Sequence, residues 1–330
     1  MFDECVIRGR RFAPARFSAP LAGYTHSAFR RLLAELGGCG ATWTEMLAAR
    51  QILAEDFLTS PWLRRRPEEK NLVHQLMVRA GDPLDRILGR LAEHGVEAVD
   101  LNLACDAHTI RAWEAGSALF ANLNALKRVV TEARRHWAGL LTAKVRLGNR
   151  RPDWAEHFSE RVRLLADEGL DALIVHPRFF EDKFRRRARH ELLPWVASLT
   201  RLPLIANGDL DSAERVAALA HHLQPACGIM IGRMAIARPW LFAAWDGAFP
   251  VDHAAVWHRM CAYIQHDFPP ETARRRLQMF TRYFAANFAF GHSFAVAVGN
   301  AVTVEDARRH AEAFFSRSPV LVAHPSVAGR

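Results

Sequence analysis

Residues 204–231, LIANGDLDSAERVAALAHHLQPACGIMI, decide the fold class, because two short apolar runs in them flank an amphipathic one. Leu204–Asn207 and Gly228–Ile231 are almost continuously apolar, which is typical of parallel strands that are buried on both faces. Between them, Asp211 or Ser212 can cap a helix. The stretch therefore predicts a strand–helix–strand unit, the repeating element of α/β folds.

Six further apolar runs precede this unit and complete a set of eight strand candidates. They are Phe17–Leu21, Ala41–Met46, Leu72–Met77, Ala98–Asn102, Leu141–Val145 and Ala172–His176. Amphipathic helical runs separate most of them. Eight evenly spaced strand–helix units predict an α/β fold of the (β/α)8, or TIM-barrel, class and disfavour a doubly wound sheet.

The C-terminal part of the sequence has a different pattern. From Val251 to about Arg317 it reads as three helical runs without strand alternation, and an irregular tail follows. We therefore predict two domains, a barrel over residues 1–245 and an all-helical domain over residues 246–330. Because the helical domain would cover one flank of the barrel, we expect a monomer.

The composition is that of a cytoplasmic globular protein. Of the 330 residues, 50% are apolar and 24% are charged. No apolar run reaches the roughly 18 residues of a membrane span, and the N-terminal segment lacks the apolar stretch of a signal peptide. Five cysteines without CxxC spacing predict neither a disulfide framework nor a metal site. The net charge of +9 favours a polyanionic partner.

A barrel brings the carboxyl ends of its strands to one mouth, where the active sites of TIM barrels lie. Six strand candidates end near a polar side chain, namely Glu45, Gln75, Asn102, Lys144, His176 and Asn207. Packing alone does not explain six buried strands with polar ends. The pattern predicts a polar ligand over the mouth, although Asn102 could equally cap its own strand.

Two glycine-bearing loops predict where an anionic group of this ligand would bind. Asn207, Gly208 and Asp209 follow the seventh strand, and Gly232 and Arg233 follow the eighth. In phosphate-binding barrels these two loops hold the anion with backbone N–H groups, which glycine lets approach closely. Arg233 adds a positive charge. The alternative is two ordinary turns between strand and helix.

A set of motifs, in order along the chain, resembles those of the tRNA-dihydrouridine synthases. They are APLAGYTHSAFRRL (19–32), TWTEM (42–46), HQLM (74–77), VDLNLAC (99–105), AKVRLG (143–148), VHPR (175–178), IANGDL (205–210), IMIGRMAIARPWLF (229–242) and RRLQMFTRYF (275–284). The resemblance covers nearly the whole chain. It implies a bound FMN, NADPH as its reductant, tRNA as the partner, and reduction of the C5=C6 bond of a uridine.

The strand ends then acquire specific roles toward the flavin. Lys144 would stabilise the negative charge of the reduced ring. Gln75 can donate to and accept from its pyrimidine edge, and His176 could reach the ribityl chain or the phosphate. The alternative for Lys144 is an ion pair with a barrel carboxylate such as Glu45. The ring itself could lie on the small apolar loop that consists of Pro20, Leu21 and Ala22.

Cys105 is the predicted catalytic acid. Hydride transfer from flavin N5 to C6 of uracil leaves negative charge at C5, and a thiol of ordinary pKa is protonated at pH 7 and can supply the proton. The family carries this cysteine in an N-x-G-C-P motif, whereas residues 102–106 here read NLACD. Ala104 and Asp106 therefore replace a glycine and a proline, which puts the usual loop geometry in question. A purely structural cysteine is the alternative.

Basic residues near the mouth and in the helical region predict the tRNA contacts. The predicted substrate-binding residues are Asn102, Arg178, Lys183, Arg185, Arg186, Arg187, Arg274, Arg275 and Arg276. A further basic run covers residues 64–66. Phe179, Phe180 and Phe184 lie in or beside the basic cluster of residues 183–189 and could stack on a flipped base or pack the loop. A solvated surface is the alternative for each cluster.

Two other functions remain open from the sequence. The first is a flavin barrel that acts on a free small molecule, in the manner of dihydroorotate-type dehydrogenases. The second is an RNA-binding relative that lacks activity because the loop around Cys105 is altered. The basic helical region favours an RNA substrate, since a metabolite enzyme does not need it.

Overall fold

The computed structural model of the protein describes residues 1–183 and 185–327. It confirms the predicted TIM-like barrel with helices after it. Phe184, one of the aromatic residues predicted to stack on a base, lies outside the described residues. In the described chain, no helix is long and apolar enough to span a membrane.

An N-terminal hairpin, which the sequence did not predict, precedes the barrel. Its antiparallel strands are β1 (Cys5–Ile7) and β2 (Arg10–Phe12). Arg8 pairs with Asp171 at 2.9 Å, just before a barrel strand begins. Phe12 packs edge-on against Phe17 of the first barrel strand, with ring centroids 5.7 Å apart. The hairpin therefore covers the N-terminal end of the barrel, opposite the predicted mouth.

Parallel strands form the barrel in the order in which they occur along the chain. They are β3 (Arg16–Ser18), β4 (Thr42–Trp43) continued by β5 (Leu47–Ala48), β6 (Leu72–Met77), β7 (Ala98–Leu103), β8 (Leu140–Arg146), β9 (Ala172–His176), β10 (Leu204–Asn207) and β11 (Ala226–Ile231). β3 pairs with β11, and a parallel bridge from Phe17 to Ala41 closes the ring toward β4.

The helices lie between these strands and after them. They are α1 (Ser27–Leu36), α2 (Leu84–Glu93), α3 (His108–Ala112), α4 (Ser117–Ala121), α5 (Leu123–His136), α6 (Trp154–Asp167), α7 (Leu193–Ser198), α8 (Ala213–Ala218), α9 (Ala220–Leu223), α10 (Arg233–Ala237), α11 (His253–Asp267), α12 (Pro270–Phe284), α13 (Gly291–Asn300) and α14 (Val304–Phe315). Ser212 caps α8 by accepting from the backbone N–H of Arg215, so Ser212 and not Asp211 is the cap.

Two strands are shorter than predicted. β3 ends at Ser18, and the chain turns at Leu21, whose carbonyl accepts from the backbone N–H of Tyr24 and of Thr25. Pro20 cannot continue the ladder because it has no N–H. The second strand is interrupted at Thr44, whose hydroxyl accepts from the backbone N–H of Gln75 at 3.0 Å in place of a ladder carbonyl.

The C-terminal helices number four among the described residues, one more than predicted, because α13 was missed. α11 packs on α1, and α12 packs on α10 of the barrel. Arg64 and Arg66 both pair with the buried carboxylate of Asp267 at the end of α11. The helices are thus joined to the barrel by apolar packing and by ion pairs, and the division at residue 245 stays a prediction.

Candidate active site

A cavity of about 740 Å³ opens where the strands end. All of the residues predicted to bind the cofactor line it: Pro20, Leu21, Ala22, Gln75, Lys144, His176, Asn207, Gly208, Asp209, Gly232 and Arg233. Cys105 also lines it, as do Asn102, Arg178 and Lys183 of the predicted substrate-binding residues. The other six, Arg185, Arg186, Arg187, Arg274, Arg275 and Arg276, lie outside this lining. The structure thus brings the strand ends together, while the roles of these residues stay predictions.

Lys144 is a buried cation, 9% exposed, at the cavity floor. Its ammonium makes no hydrogen bond or ion pair with another described residue. Burial lowers the pKa of Lys144 to about 7, helped by the positive charge of Arg146 and opposed by Asp100. An unpaired buried cation is unfavourable unless a ligand supplies the counter-charge. The site therefore suits an anionic or strongly accepting group above Lys144.

The alternative of an ion pair between Lys144 and Glu45 is wrong. Glu45 accepts from the backbone N–H of Gly23 at 2.6 Å and pairs with Arg276 of α12 at 3.3 Å. This carboxylate joins the first loop to the C-terminal helices. Arg276, predicted to contact RNA, is therefore already engaged by a nearly buried partner.

Arg146 is a second cation of the cavity that the sequence analysis missed. The predicted strand ended at Val145, but β8 continues to Arg146. Because side chains of a strand alternate between its faces, residue 146 points to the same side as Lys144. This alternation was the signal that could have found it. Burial lowers the pKa of Arg146, and the nearby charge of Arg178 lowers it further.

Gln75 and Asn102 form one hydrogen-bonded set with a buried carboxylate that was also missed. Gln75 donates to Asp100 at 2.7 Å, and Asn102 donates to Gln75 at 2.9 Å. Thr142 donates to the other oxygen of Asp100 at 2.7 Å. Burial raises the pKa of Asp100 to about 6 although these hydrogen bonds oppose the shift. The predicted strand included Asp100 at its centre, where a carboxylate in a buried strand was itself a signal.

The loop that carries Cys105 is held from both sides. The side-chain oxygen of Asn102 accepts from the backbone N–H of Ala104 at 3.2 Å and of Cys105 at 3.0 Å. Asp106 accepts from the hydroxyl of Ser117 at 2.7 Å, and the backbone N–H of Ser117 donates to the carbonyl of Cys105. Side-chain hydrogen bonds therefore fix this loop without the glycine and proline of the family motif. Asn102 therefore caps the end of β7, which was the alternative expected for this residue.

His176 is neutral in this environment. Burial holds its pKa well below the usual value, and the charges of Lys144 and two arginines act in the same direction. Its Nε2 lies 2.9 Å from a guanidinium nitrogen of Arg178. A guanidinium only donates, so Nε2 is the acceptor and Nδ1 carries the proton.

Arg178 is buried rather than free for substrate. Its guanidinium contacts both carboxylate oxygens of Asp209 at 2.6 Å and donates to the backbone carbonyl of Arg186 at 2.6 Å. Asp209 also lies 3.8 Å from Arg233. Arg178 therefore holds the loop after β9 against the loop after β10.

Gly208 is required at the predicted anion site. Its φ is +105°, and a Cβ built there would lie 2.6 Å from the ring of His176. The neighbouring Asn207 donates to the carbonyl of Met230 at 2.8 Å and ties β10 to β11. Gly232 precedes α10, and a Cβ there would meet nothing closer than 3.7 Å. Close packing therefore explains glycine at 208 but not at 232, where room for a ligand remains.

The C-terminal tail, predicted to be irregular, is docked on the barrel. Arg238 donates to the carbonyls of Val322 and Ala323 at 2.9 Å. Arg233 donates to the carbonyl of Val327 at 3.3 Å, and Val327 lines the cavity. Val327, at the end of this docked segment, thus contributes to the cavity wall beside Arg233.

The residues of the basic clusters are paired within the protein, exposed to solvent or, like Arg186, both. Asp182, whose side chain is buried, pairs with Arg150, Arg186 and Arg189. Arg274 donates to the carbonyl of Ala301 at 3.3 Å. The predicted substrate-binding residues that remain exposed to solvent are Lys183, Arg185, Arg186, Arg187 and Arg275.

Comparisons with known proteins agree with this architecture. A family model described as dihydrouridine synthase matches residues 17–294. The tRNA-dihydrouridine synthase B of Escherichia coli K12 is 29% identical over 315 residues, which is 90% of this chain and 93% of that protein. A probable tRNA-dihydrouridine synthase of Helicobacter pylori is 30% identical over 230 residues, 68% of each chain.

Solved structures show the same fold at low identity. The old yellow enzyme homologue from Zymomonas mobilis has a TM-score of 0.54 at 12% identity and covers 76% of this chain and 93% of its own. The old yellow enzyme from Trypanosoma cruzi has the same score and coverage at 10% identity.

Fold and site together define a TIM-barrel protein with an electropositive cavity at the carboxyl ends of its strands. Since the family model spans most of its residues, the chain belongs to the dihydrouridine synthase family.

Proposed function

We propose that the chain reduces the C5=C6 bond of a uridine in tRNA to dihydrouridine, with FMN as bound cofactor and NADPH as reductant. The observation that carries this proposal is the buried ammonium of Lys144, which pairs with no other residue that the structure describes and lies in a cavity of about 740 Å³. Cavities of this size hold cofactor-sized ligands. The tRNA-dihydrouridine synthases among its relatives support the choice of substrate.

The residues of the cavity fit such a cofactor. Arg233 and the open backbone at Gly232 would receive its phosphate, together with the loop from Asn207 to Asp209. Lys144 would lie near the electron-accepting edge of the ring, where its charge stabilises the reduced state. Pro20, Leu21 and Ala22 would provide the apolar surface beneath the ring.

Cys105 would complete the reaction as the acid. When bound, FMN reduced by NADPH supplies the hydride that C6 of the uracil ring accepts. The thiol of Cys105 would then donate its proton to C5, where the negative charge develops. Asn102 holds the backbone of Cys105 at the cavity wall through hydrogen bonds at 3.0–3.2 Å. The neutral His176 and the paired Arg178 keep the neighbouring loop in place.

Exposed basic residues support tRNA as the substrate. Lys183, Arg185 and Arg187 lie on the loop after β9, which borders the cavity through Lys183. Arg275 is exposed on α12. Such residues bind the phosphate backbone without sequence preference and would present the target uridine to the cavity.

The test combines cofactor content with RNA chemistry. Purified protein is expected to contain FMN and to oxidise NADPH, and tRNA from cells that lack the gene should lose dihydrouridine at a specific position by mass analysis. Cys105→Ala should retain FMN and lose about 100-fold or more in dihydrouridine formation. Protein that never takes up FMN contradicts the proposal. Tight tRNA binding with unchanged uridines would instead indicate a relative without catalysis, and turnover of a free pyrimidine without tRNA a metabolite enzyme.

A further inference from the structure

Three side chains in register across adjacent strands meet beneath the cavity. In the parallel pairing, Gln75 of β6 lies opposite Asp100 of β7, which lies opposite Thr142 of β8. The carboxylate of Asp100 is fully buried and has a hydrogen bond on each oxygen, from Thr142 and from Gln75, both at 2.7 Å. Asp100 itself does not line the cavity.

Asp100 fixes which way the amide of Gln75 points. A carboxylate only accepts hydrogen bonds, so the NH2 group of Gln75 must face Asp100 and its oxygen must face away. That oxygen accepts from the NH2 group of Asn102 at 2.9 Å. The orientation of Asn102 follows in turn, because its own oxygen is left to face the loop.

The oxygen of Asn102 accepts from two backbone N–H groups, those of Ala104 and Cys105. Reversing either amide would bring two acceptors face to face on one side of it and two donors face to face on the other. The set thus has a single direction, from the acceptor Asp100 through two amides to the donor N–H of Cys105. We refer to Asp100, Gln75, Asn102 and the Cys105 backbone as the amide relay.

We propose that Asp100 is a positioning residue: by accepting from Gln75 it orients the amide relay and so holds the backbone of Cys105 where its thiol can protonate the substrate. The assignment of the thiol rests on the proposed function. The control of the loop by Asp100 concerns only the chain's own residues and can be measured without cofactor or RNA.

The first test measures backbone hydrogen exchange in residues 103–107 of the ligand-free protein. Asp100→Leu removes the acceptor and should speed this exchange about tenfold, the factor that corresponds to the loss of one hydrogen bond. Asp100→Asn should recover most of the protection, because its amide oxygen can accept from Gln75 while its NH2 group donates to the hydroxyl of Thr142. Equal exchange in Asp100→Leu and the unmodified protein would overturn the proposal.

Thr142→Val separates the relay from general loss of stability. It removes the other hydrogen bond of Asp100 and should lower the melting temperature, yet it leaves the bond to Gln75 intact. Exchange in residues 103–107 should then stay unchanged. If Asp100→Leu does not fold, Gln75→Met interrupts the relay one link further on and should speed exchange in the same residues, and failure to do so would equally contradict the proposal.

The second test separates the two half-reactions of the flavin-loaded protein. Asp100→Leu should leave reduction of FMN by NADPH within about threefold and slow oxidation of the reduced protein by unmodified tRNA about 100-fold, the effect of a small displacement of a reacting group. Asp100→Asn should recover most of that loss. A loss in Asp100→Asn as large as in Asp100→Leu would show that the negative charge matters and not the acceptor. If the unmodified protein lacks FMN or does not act on tRNA, the proposed function fails while the exchange test still decides the role of Asp100.

Discussion

Lys144 is the side chain at which stability and the proposed cofactor binding oppose each other. Its ammonium is buried among the carboxyl ends of the strands, and Arg146 and Arg178 add positive charge nearby. A folded protein gains nothing from a charge in this position unless a ligand neutralises it. The sequence indicated the charge and its place, but only the structure shows that Glu45 is turned away toward Arg276.

Replacing this lysine should stabilise the ligand-free protein. The folded pKa of Lys144 is about 7 and its reference value is 10.5, so the unfolded chain binds the proton more tightly. Stability therefore rises as the pH rises from about 7 toward 10.5. Lys144→Met should raise the free energy of unfolding at pH 7 by roughly 1–4 kcal/mol and flatten this pH dependence, as measured by urea denaturation.

The matched control is the exposed Lys127 of α5, where Lys127→Met should change stability by less than about 0.5 kcal/mol. The same Lys144→Met protein should retain less FMN after gel filtration. A variant that is both less stable and fully flavin-loaded would mean that Lys144 has a structural partner and no role toward the ligand.

Gly208 shows how the absence of a side chain shapes the loop of the predicted anion site. Its positive φ and the ring of His176 at 2.6 Å exclude a Cβ, so Gly208→Ala should cost about 1–3 kcal/mol and displace the loop. Gly89 of α2 has open space around it, and Gly89→Ala should instead stabilise by about 0.5–1 kcal/mol. Thermal melts of both variants check the pair. Similar melting temperatures for the two would contradict the packing argument.

At the level of elements, the sequence predicts long buried strands well and short ones poorly. β9 and β10 have their predicted bounds because their apolar runs are uninterrupted. β3 and the broken second strand end early because a proline and the hydroxyl of Thr44 replace ladder contacts, which depends on neighbours remote in sequence. The hairpin was missed since three-residue strands carry too few residues for a periodic signal.

The C-terminal tail is held by backbone hydrogen bonds of Val320 and Val322 to residues 287–289 and by the side chain of Arg238. Arg238 bonds to the carbonyls of Val322 and Ala323 and to the side chain of Asn287. Arg238→Ala removes the side-chain share of these contacts, so a protease of broad specificity such as proteinase K should cleave residues 320–327 about tenfold faster. The comparison is Arg317→Ala, at an exposed arginine before the tail, which should leave the cleavage rate unchanged. Unchanged cleavage in Arg238→Ala would show that the backbone hydrogen bonds hold the tail without Arg238.

Across the whole molecule, charge clusters were the least predictable feature. Residues 64–66 read as a basic surface, yet Arg64 and Arg66 pair with Asp267 some 200 positions later in the chain. The loop after β9 likewise hides Asp182 beneath three arginines. Sequence gives the number of charges but not their partners, because ion pairs between remote segments exist only once the barrel and the helices have packed.

The exposed remainder of these clusters should govern tRNA affinity. Arg185 and Arg187 lie on the loop that borders the cavity, whereas Arg11 and Arg128 are exposed on the hairpin and on α5. The variant with Arg185→Ala and Arg187→Ala should lower the slope of log K against log salt by about 1.5, since each phosphate contact contributes roughly 0.7–0.9. Arg11→Ala with Arg128→Ala removes the same charge and should leave the slope unchanged. Filter binding measures both slopes. Equal slopes for the two double variants would mean that tRNA affinity depends on the net charge alone and that tRNA does not bind at the mouth of the barrel.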